Sequence, residues 1–147
     1  MLASDLRETL VVIVDAMRHA RDPWWVISSA AVALHGVAPI EVDDVDVLMS
    51  VGDARRVMDR LGVVPIEDGA SAMFRSTLFG RWEAPPLVVE IMAGFYVATG
   101  SGWTEVLPRT RVPILWMSAW FMCLTVLNWP RCLGCSDVQR TWSELGF

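Results

Sequence analysis

The chain contains no lysine, so every fixed side-chain cation is one of 12 arginines, and 17 acidic residues leave a formal net charge of −5. Affinity for nucleic acid comes largely from neutralising phosphates, so this composition argues against a general nucleic-acid binder. A local contact with a nucleotide or an RNA end stays open. Cysteine is scarce too: Cys123, Cys132 and Cys135, with the last pair in C-x-x-C spacing. A zinc site wants a second ligand pair, and the two histidines, His19 and His35, lie far upstream. Free, reduced thiols and a cytoplasmic location are the expectation, with a redox or zinc role for Cys132 and Cys135 as an alternative. The N-terminus places Asp5, Arg7 and Glu8 before the apolar run 10–14, the wrong order for a signal peptide. No uninterrupted apolar run approaches the roughly 20 residues that span a bilayer. The longest, 112–129, is broken by Pro113, Ser118, Thr125 and Asn128. It reads as a buried core helix, and no membrane partner is expected.

What is present is a chain rich in core material. Hydrophobic residues make up 54% of its 147 positions, and the mean hydropathy is positive. A chain of this length buries roughly 70% of the surface that its unfolded form exposes, enough for one domain over 1–147. Apolar positions at Leu6, Leu10, Ile13, Val14 and Met17 predict a helix over 4–20, with Ser4 as N-cap. Strand patterns follow at 24–27 and 44–49, separated by a short Ala-rich helix over 30–34 that Gly36 stops. Ser50 caps a helix over 52–61, and Gly62 ends it. Further strands are read at 63–66, 87–92 and 111–115, a strand or hairpin at 72–82, an apolar helix at 118–127 and a last helix at 136–145. Alternating helices and strands give an α/β (α+β) class: a mixed sheet flanked by helices.

The chemistry concentrates in two strands. Alternate strand residues share a face, so Asp44 and Asp46 project side by side. Adjacent carboxylates repel, and a cation between them favours their ionised form. Hard oxygen donors of this kind suit Mg2+ or Mn2+. Glu90 is a lone acid within an apolar strand pattern, so it faces a metal, pairs with an Arg or reaches the sheet edge, the plainer reading being an edge-strand acid paired with Arg75 or Arg81. Ser28 and Ser29 stand where a strand becomes a helix, where free N–H groups favour a phosphate. Ser29 is also the expected N-cap. The plainer readings are a solvated acidic turn for Asp44 and Asp46, and capping or packing for His35. Trp116, Trp120 and Trp129 at near-helical spacing suggest a partner or homo-oligomer surface in the C-terminal segment.

The order of these features resembles the polymerase beta-type nucleotidyltransferase superfamily: strand, two small residues, helix ending in His35-Gly36, strand with Asp44-Val45-Asp46, then a strand with a third acid. The stretch 31–36, Ala-Val-Ala-Leu-His-Gly, is most similar to its minimal, toxin–antitoxin-associated AbiEii branch, and residues 112–115 and 130–139 resemble that branch's C-terminal half. The resemblance implies a nucleotidyltransferase-like fold and transfer of a nucleoside monophosphate from an NTP to a hydroxyl acceptor. It implies Asp44, Asp46 and Glu90 as metal and catalytic carboxylates, with Ser28 and Ser29 at the nucleotide phosphates. The acceptor stays open among an RNA end, a protein and a small molecule. The chain departs from the family in three places. Serine stands at 28 where the family usually has glycine, whose missing Cβ lets backbone approach phosphate. Pro39-Ile40-Glu41-Val42-Asp43 replaces the usual Arg and Thr before the Asp-x-Asp, and the C-terminal helix lacks its usual lysine. Two function classes follow: an active transferase, or a degenerate nucleotidyltransferase fold that serves as a partner subunit.

Overall fold

The computed structural model describes residues 2–37, 39–67, 71–106 and 108, together with the strands 112–116 and 119–123. Helix α1 (Ser4–Ala16) ends in a 3₁₀ turn, Met17–His19, and leads to β1 (Trp25–Ile27). Helix α2 (Ser28–Leu34) follows without a loop, then β2 (Asp44–Met49) and α3 (Val51–Leu61). Five further strands complete the described chain: β3 (Phe74–Trp82), β4 (Val88–Thr99), β5 (Gly102–Glu105), β6 (Val112–Trp116) and β7 (Ala119–Cys123).

These strands form one mixed sheet in the order β3-β4-β2-β1-β7-β6, with β5 paired to β4. The pairs β2–β4 and β1–β7 are parallel, and the other neighbours are antiparallel. Strand β4 changes partner along its length: it pairs with β2 up to Ala93 and with β5 from Tyr96. Gly94 sits at that change with φ +58°, and a Cβ there would run into the Thr77 side chain of β3.

Period-2 alternation divides the sheet. Val26, Val45, Val47, Met49, Val89, Ile91 and Ala93 join the inner faces of all three helices in the main core. Ile27, Leu48 and Met92 point the other way, into a smaller cluster with Val97 and Val106. The three helices therefore share one side of the sheet. Helix α3 starts where Ser50 Oγ accepts the Asp53 N–H at 3.2 Å, and it stops at Gly62, whose φ of +69° is left-handed. It packs closely on β3, since a Cβ at Gly80 would meet Met58 Cε and Val63 Cγ1 at 2.9 Å. Two buried polar side chains lock the helices to loops. Thr9 Oγ1 accepts the Leu87 N–H at 3.0 Å, across 78 residues of sequence. The Asp53 carboxylate accepts the N–H groups of Arg21 and Asp22 and pairs with Arg56.

The sequence expectations for α1, β1, β2, α3, β3, β4 and β6 hold, with shifted boundaries. Three others are corrected, and β5 has no counterpart in the sequence pattern. Residues 63–66 form no strand, although Ile66 N–H reaches Phe79 O at 2.9 Å on the outer edge of β3. Strand β5 carries no apolar alternation of its own, all four residues being exposed. The apolar segment from 118 is a strand over Ala119–Cys123, hairpinned onto β6 and parallel to β1, where a helix was expected. A continuous apolar run suits a strand covered on both faces as well as a buried helix, and here sheet pairing decides it. Trp116 and Trp120 accordingly lie on two antiparallel strands, so the helical spacing does not place them on one helix face. Finally, Ala3 caps α1 and Ile27 caps α2, without a side-chain bond in either case, in place of Ser4 and Ser29. The expected helix at 136–145, Trp129, Cys132 and Cys135 lie outside the described residues. No described helix is long and apolar enough to cross a membrane.

Candidate active site

The carboxylates lie on the sheet face opposite the helices. Register across β1, β2, β4 and β3 aligns Ile27 with Asp46, Asp46 with Glu90, and Glu90 with Arg81. These four residues make one row across four strands. The next row, Trp25, Leu48, Met92 and Phe79, is apolar. Asp44 stands two residues along β2 from Asp46 and faces the same way. Neighbouring strands run about 4.8 Å apart, so Asp46 and Glu90 are as close as side chains on adjacent strands come.

Burial is the main influence on Asp46 and raises its pKa, while a hydrogen bond from the Ser28 hydroxyl opposes that rise. The negative charges of Asp44 and Glu90 and a hydrogen bond shared with Glu90 raise it further, to about 7. Asp46 is therefore pushed toward its protonated form, and a cation at this place would relieve the repulsion. Glu90 also faces Arg81, Nε to Oε1 at 3.6 Å, with side chains 23% and 46% exposed respectively. One of the sequence alternatives thus holds: Glu90 does pair with Arg81. Its strand is internal, however, lying between β2 and β3. The other alternative, Arg75, stacks at the far end of the strand against Tyr96 and Trp103, 5.0 and 4.5 Å from the ring centres.

Among the described residues, no three His, Cys, Asp or Glu side chains converge closely enough to hold a metal ion. The donors Asp44, Asp46 and Glu90 are hard oxygens on one face, the kind that magnesium takes. The fit is therefore one of donor type and shared face. Ser28 and Ser29 open α2 beside this row. Ser28 takes φ +57°, the one described residue other than glycine in the left-handed region. Sequence reasoning placed Ser28 near phosphate and missed its bond to Asp46; the signal available was the Ile27–Asp46 proximity implied by adjacent strands. It also missed Trp25, whose buried indole N–H has no hydrogen-bond partner. His35 forms the C-terminal boundary of α2, about two turns away from the junction.

Solved structures share this fold. A candidate nucleotidyltransferase from Thermotoga maritima superposes with a TM-score of 0.74 over 98% of this chain and 96% of its own, at 20% identity. The lincosamide antibiotic adenylyltransferase LnuA, bound to lincomycin, gives 0.54 over 84% and 81%, at 15% identity. ANT(2″)-Ia in complex with adenylyl-2″-tobramycin gives 0.51 over 95% and 84%, at 11% identity. No protein-family profile matches the sequence, and comparison with curated proteins gives no match. The chain has the nucleotidyltransferase fold.

Proposed function

We propose that the protein transfers a nucleoside monophosphate from an NTP to a hydroxyl acceptor. The observation that carries this reading is the alignment of Asp46 with Glu90, with Asp44 beside them, on the sheet face opposite the described helices in a chain of this fold. Asp44, Asp46 and Glu90 would hold Mg2+ or Mn2+, which when bound supplies charge stabilisation to the phosphates. Glu90 takes the proton of the acceptor hydroxyl. The hydroxyl oxygen then bonds to the α-phosphorus as the bond to the departing pyrophosphate breaks. Ser28 and Ser29, at the start of α2, lie on the β1 side of the carboxylates, where the phosphates would rest. Arg81 lies on the opposite side, where the acceptor would enter.

Support for a small acceptor comes from two structural neighbours, a lincosamide antibiotic adenylyltransferase bound to lincomycin and a protein in complex with adenylyl-2″-tobramycin, and from the acidic charge of this chain. The finer toxin–antitoxin placement rests on the sequence resemblance of residues 31–36, 112–115 and 130–139 alone. The test is incubation with Mg2+, each α-labelled NTP and cell extract, beside an Asp44→Ala, Asp46→Ala double variant. Label transferred by the wild type and lost in the variant supports transfer. Identical blanks with all four NTPs overturn it in favour of a partner subunit.

A further inference from the structure

Ser28 holds a backbone conformation that its residue type does not favour. A left-handed φ costs an L-residue roughly 1–2 kcal/mol, and glycine adopts it freely. The other described residues with positive φ are Gly36, Gly62, Gly94 and Gly102. Outliers of this kind persist where surrounding structure holds them, and they cluster at functional sites. The surroundings here are specific. Ser28 follows Ile27, whose backbone faces Asp46 across the β1–β2 ladder. Its hydroxyl donates to the Asp46 carboxylate. Asp44 and Glu90, the acidic neighbours of Asp46, offer it repulsion or a shared proton, whereas Ser28 supplies a donor with no competing charge.

Resting on the transfer reading above, we propose that Ser28 is a positioning residue: its hydroxyl fixes the Asp46 carboxylate in the orientation that serves the metal and the reaction. This differs from a phosphate contact, because a hydroxyl that holds Asp46 acts on the chemical step, whereas one that holds phosphate acts on NTP binding.

Two variants separate strain from hydrogen bonding. Ser28→Gly keeps the turn without strain and loses the hydroxyl; Ser28→Ala keeps the strain and loses the hydroxyl. The first measurement is urea unfolding at pH 8 in EDTA for wild type, S28A, D46N and S28A/D46N. The expected result is coupling: S28A lowers the folding constant about tenfold more in the wild-type background than in D46N. Equal effects in both backgrounds overturn the proposal. The second is Mn2+ titration followed by electron paramagnetic resonance, where both S28G and S28A should bind about tenfold more weakly than wild type. Unchanged Mn2+ affinity in both overturns the proposal while leaving the transfer reading standing. The third is transfer kinetics: S28G should lower kcat with KM for the NTP unchanged. A raised KM at constant kcat overturns positioning in favour of phosphate contact. If wild type neither binds Mn2+ nor transfers label, the transfer reading fails, and the unfolding cycle alone decides whether Ser28 holds Asp46.

Discussion

Asp46 stands directly opposite Glu90 in the parallel pairing of β2 with β4, and a hydrogen bond joins the two acids. Two carboxyl groups so placed bind a proton more readily than either would in water. Burial, then Asp44 and Glu90, raise the Asp46 pKa to about 7 against the bond from Ser28. A raised carboxyl pKa stabilises the fold fully below the ordinary value of 3.8, and that stability is lost as pH climbs to about 7. In EDTA the protein should therefore lose about 2–4 kcal/mol of unfolding free energy between pH 4 and pH 8 from this group. Asp46→Asn should flatten that slope and be more stable than wild type at pH 8. Urea titrations at pH 4, 6 and 8 check it; an unchanged slope in the variant defeats the assignment.

Asp53 shows the opposite sign. Burial tends to raise its pKa, but the Asp22 and Arg21 N–H groups, with Arg56, outweigh burial and hold it below the usual 3.8. Its contribution is complete above the ordinary carboxylate range and disappears as pH falls through the lower folded value. Asp53→Ala strands two backbone donors and should cost about 3 kcal/mol at pH 7, with the deficit shrinking in acid. Its partner Arg56 should matter more than Arg81. The Arg56 pair holds a carboxylate that is 1% exposed, whereas the Glu90–Arg81 pair is open to water. Arg56→Gln is expected to cost about 1.5 kcal/mol and Arg81→Gln less than about 1 kcal/mol, both read by chemical denaturation.

Gly94 should tolerate no side chain. Its φ is +58°, and an added Cβ meets the Thr77 Oγ1 and Cβ atoms. Conformational cost and overpacking together put Gly94→Ala at about 2–4 kcal/mol. Thr77→Ala in the same chain removes the hydroxyl collision and leaves the backbone cost. The double variant should thus recover part of the loss. Full recovery would show that φ contributes nothing, and no recovery that Thr77 is not the obstacle. Thermal melts of the three proteins decide.

The sequence signals that were legible are those with a local cause. Ser50 and Gly62 bracket α3 as capping chemistry requires, and Asp44, Asp46 and Glu90 were identifiable as acids within apolar strand patterns. Their placement on one face of neighbouring strands was not, because register between β2 and β4 is set across 38 intervening residues and by the packing of α3. Residues 119–123 misled for a related reason: an apolar run has no period of its own, and pairing with β1 and β6 made it a strand. Asp53 escaped notice since an acid in the first turn of a helix is ordinary, and its partners Arg21 and Asp22 lie more than 30 residues away. Ser28 gave no warning either. Nothing in a serine announces a left-handed backbone; the strand–helix junction without a connecting loop imposes it.

Divalent cations should reverse the pH dependence of Asp46. A carboxylate ligates only when ionised, so binding competes with the proton that Asp46 carries below about pH 7. Mg2+ or Mn2+ at 100 times its dissociation constant stabilises by about 2.7 kcal/mol, provided it binds the native state alone. The melting temperature should then rise by several degrees at pH 8 and by much less at pH 5.5. Asp46→Asn should abolish the rise at both values, and so should Asp44→Asn if the two acids share the ion. Ca2+ offers a size control, because a larger ion accepts longer oxygen distances and less regular geometry. Equal stabilisation by Mg2+ at pH 5.5 and pH 8 would place the cation elsewhere. So would an Asp46→Asn variant that keeps its response, whatever the transfer assay shows.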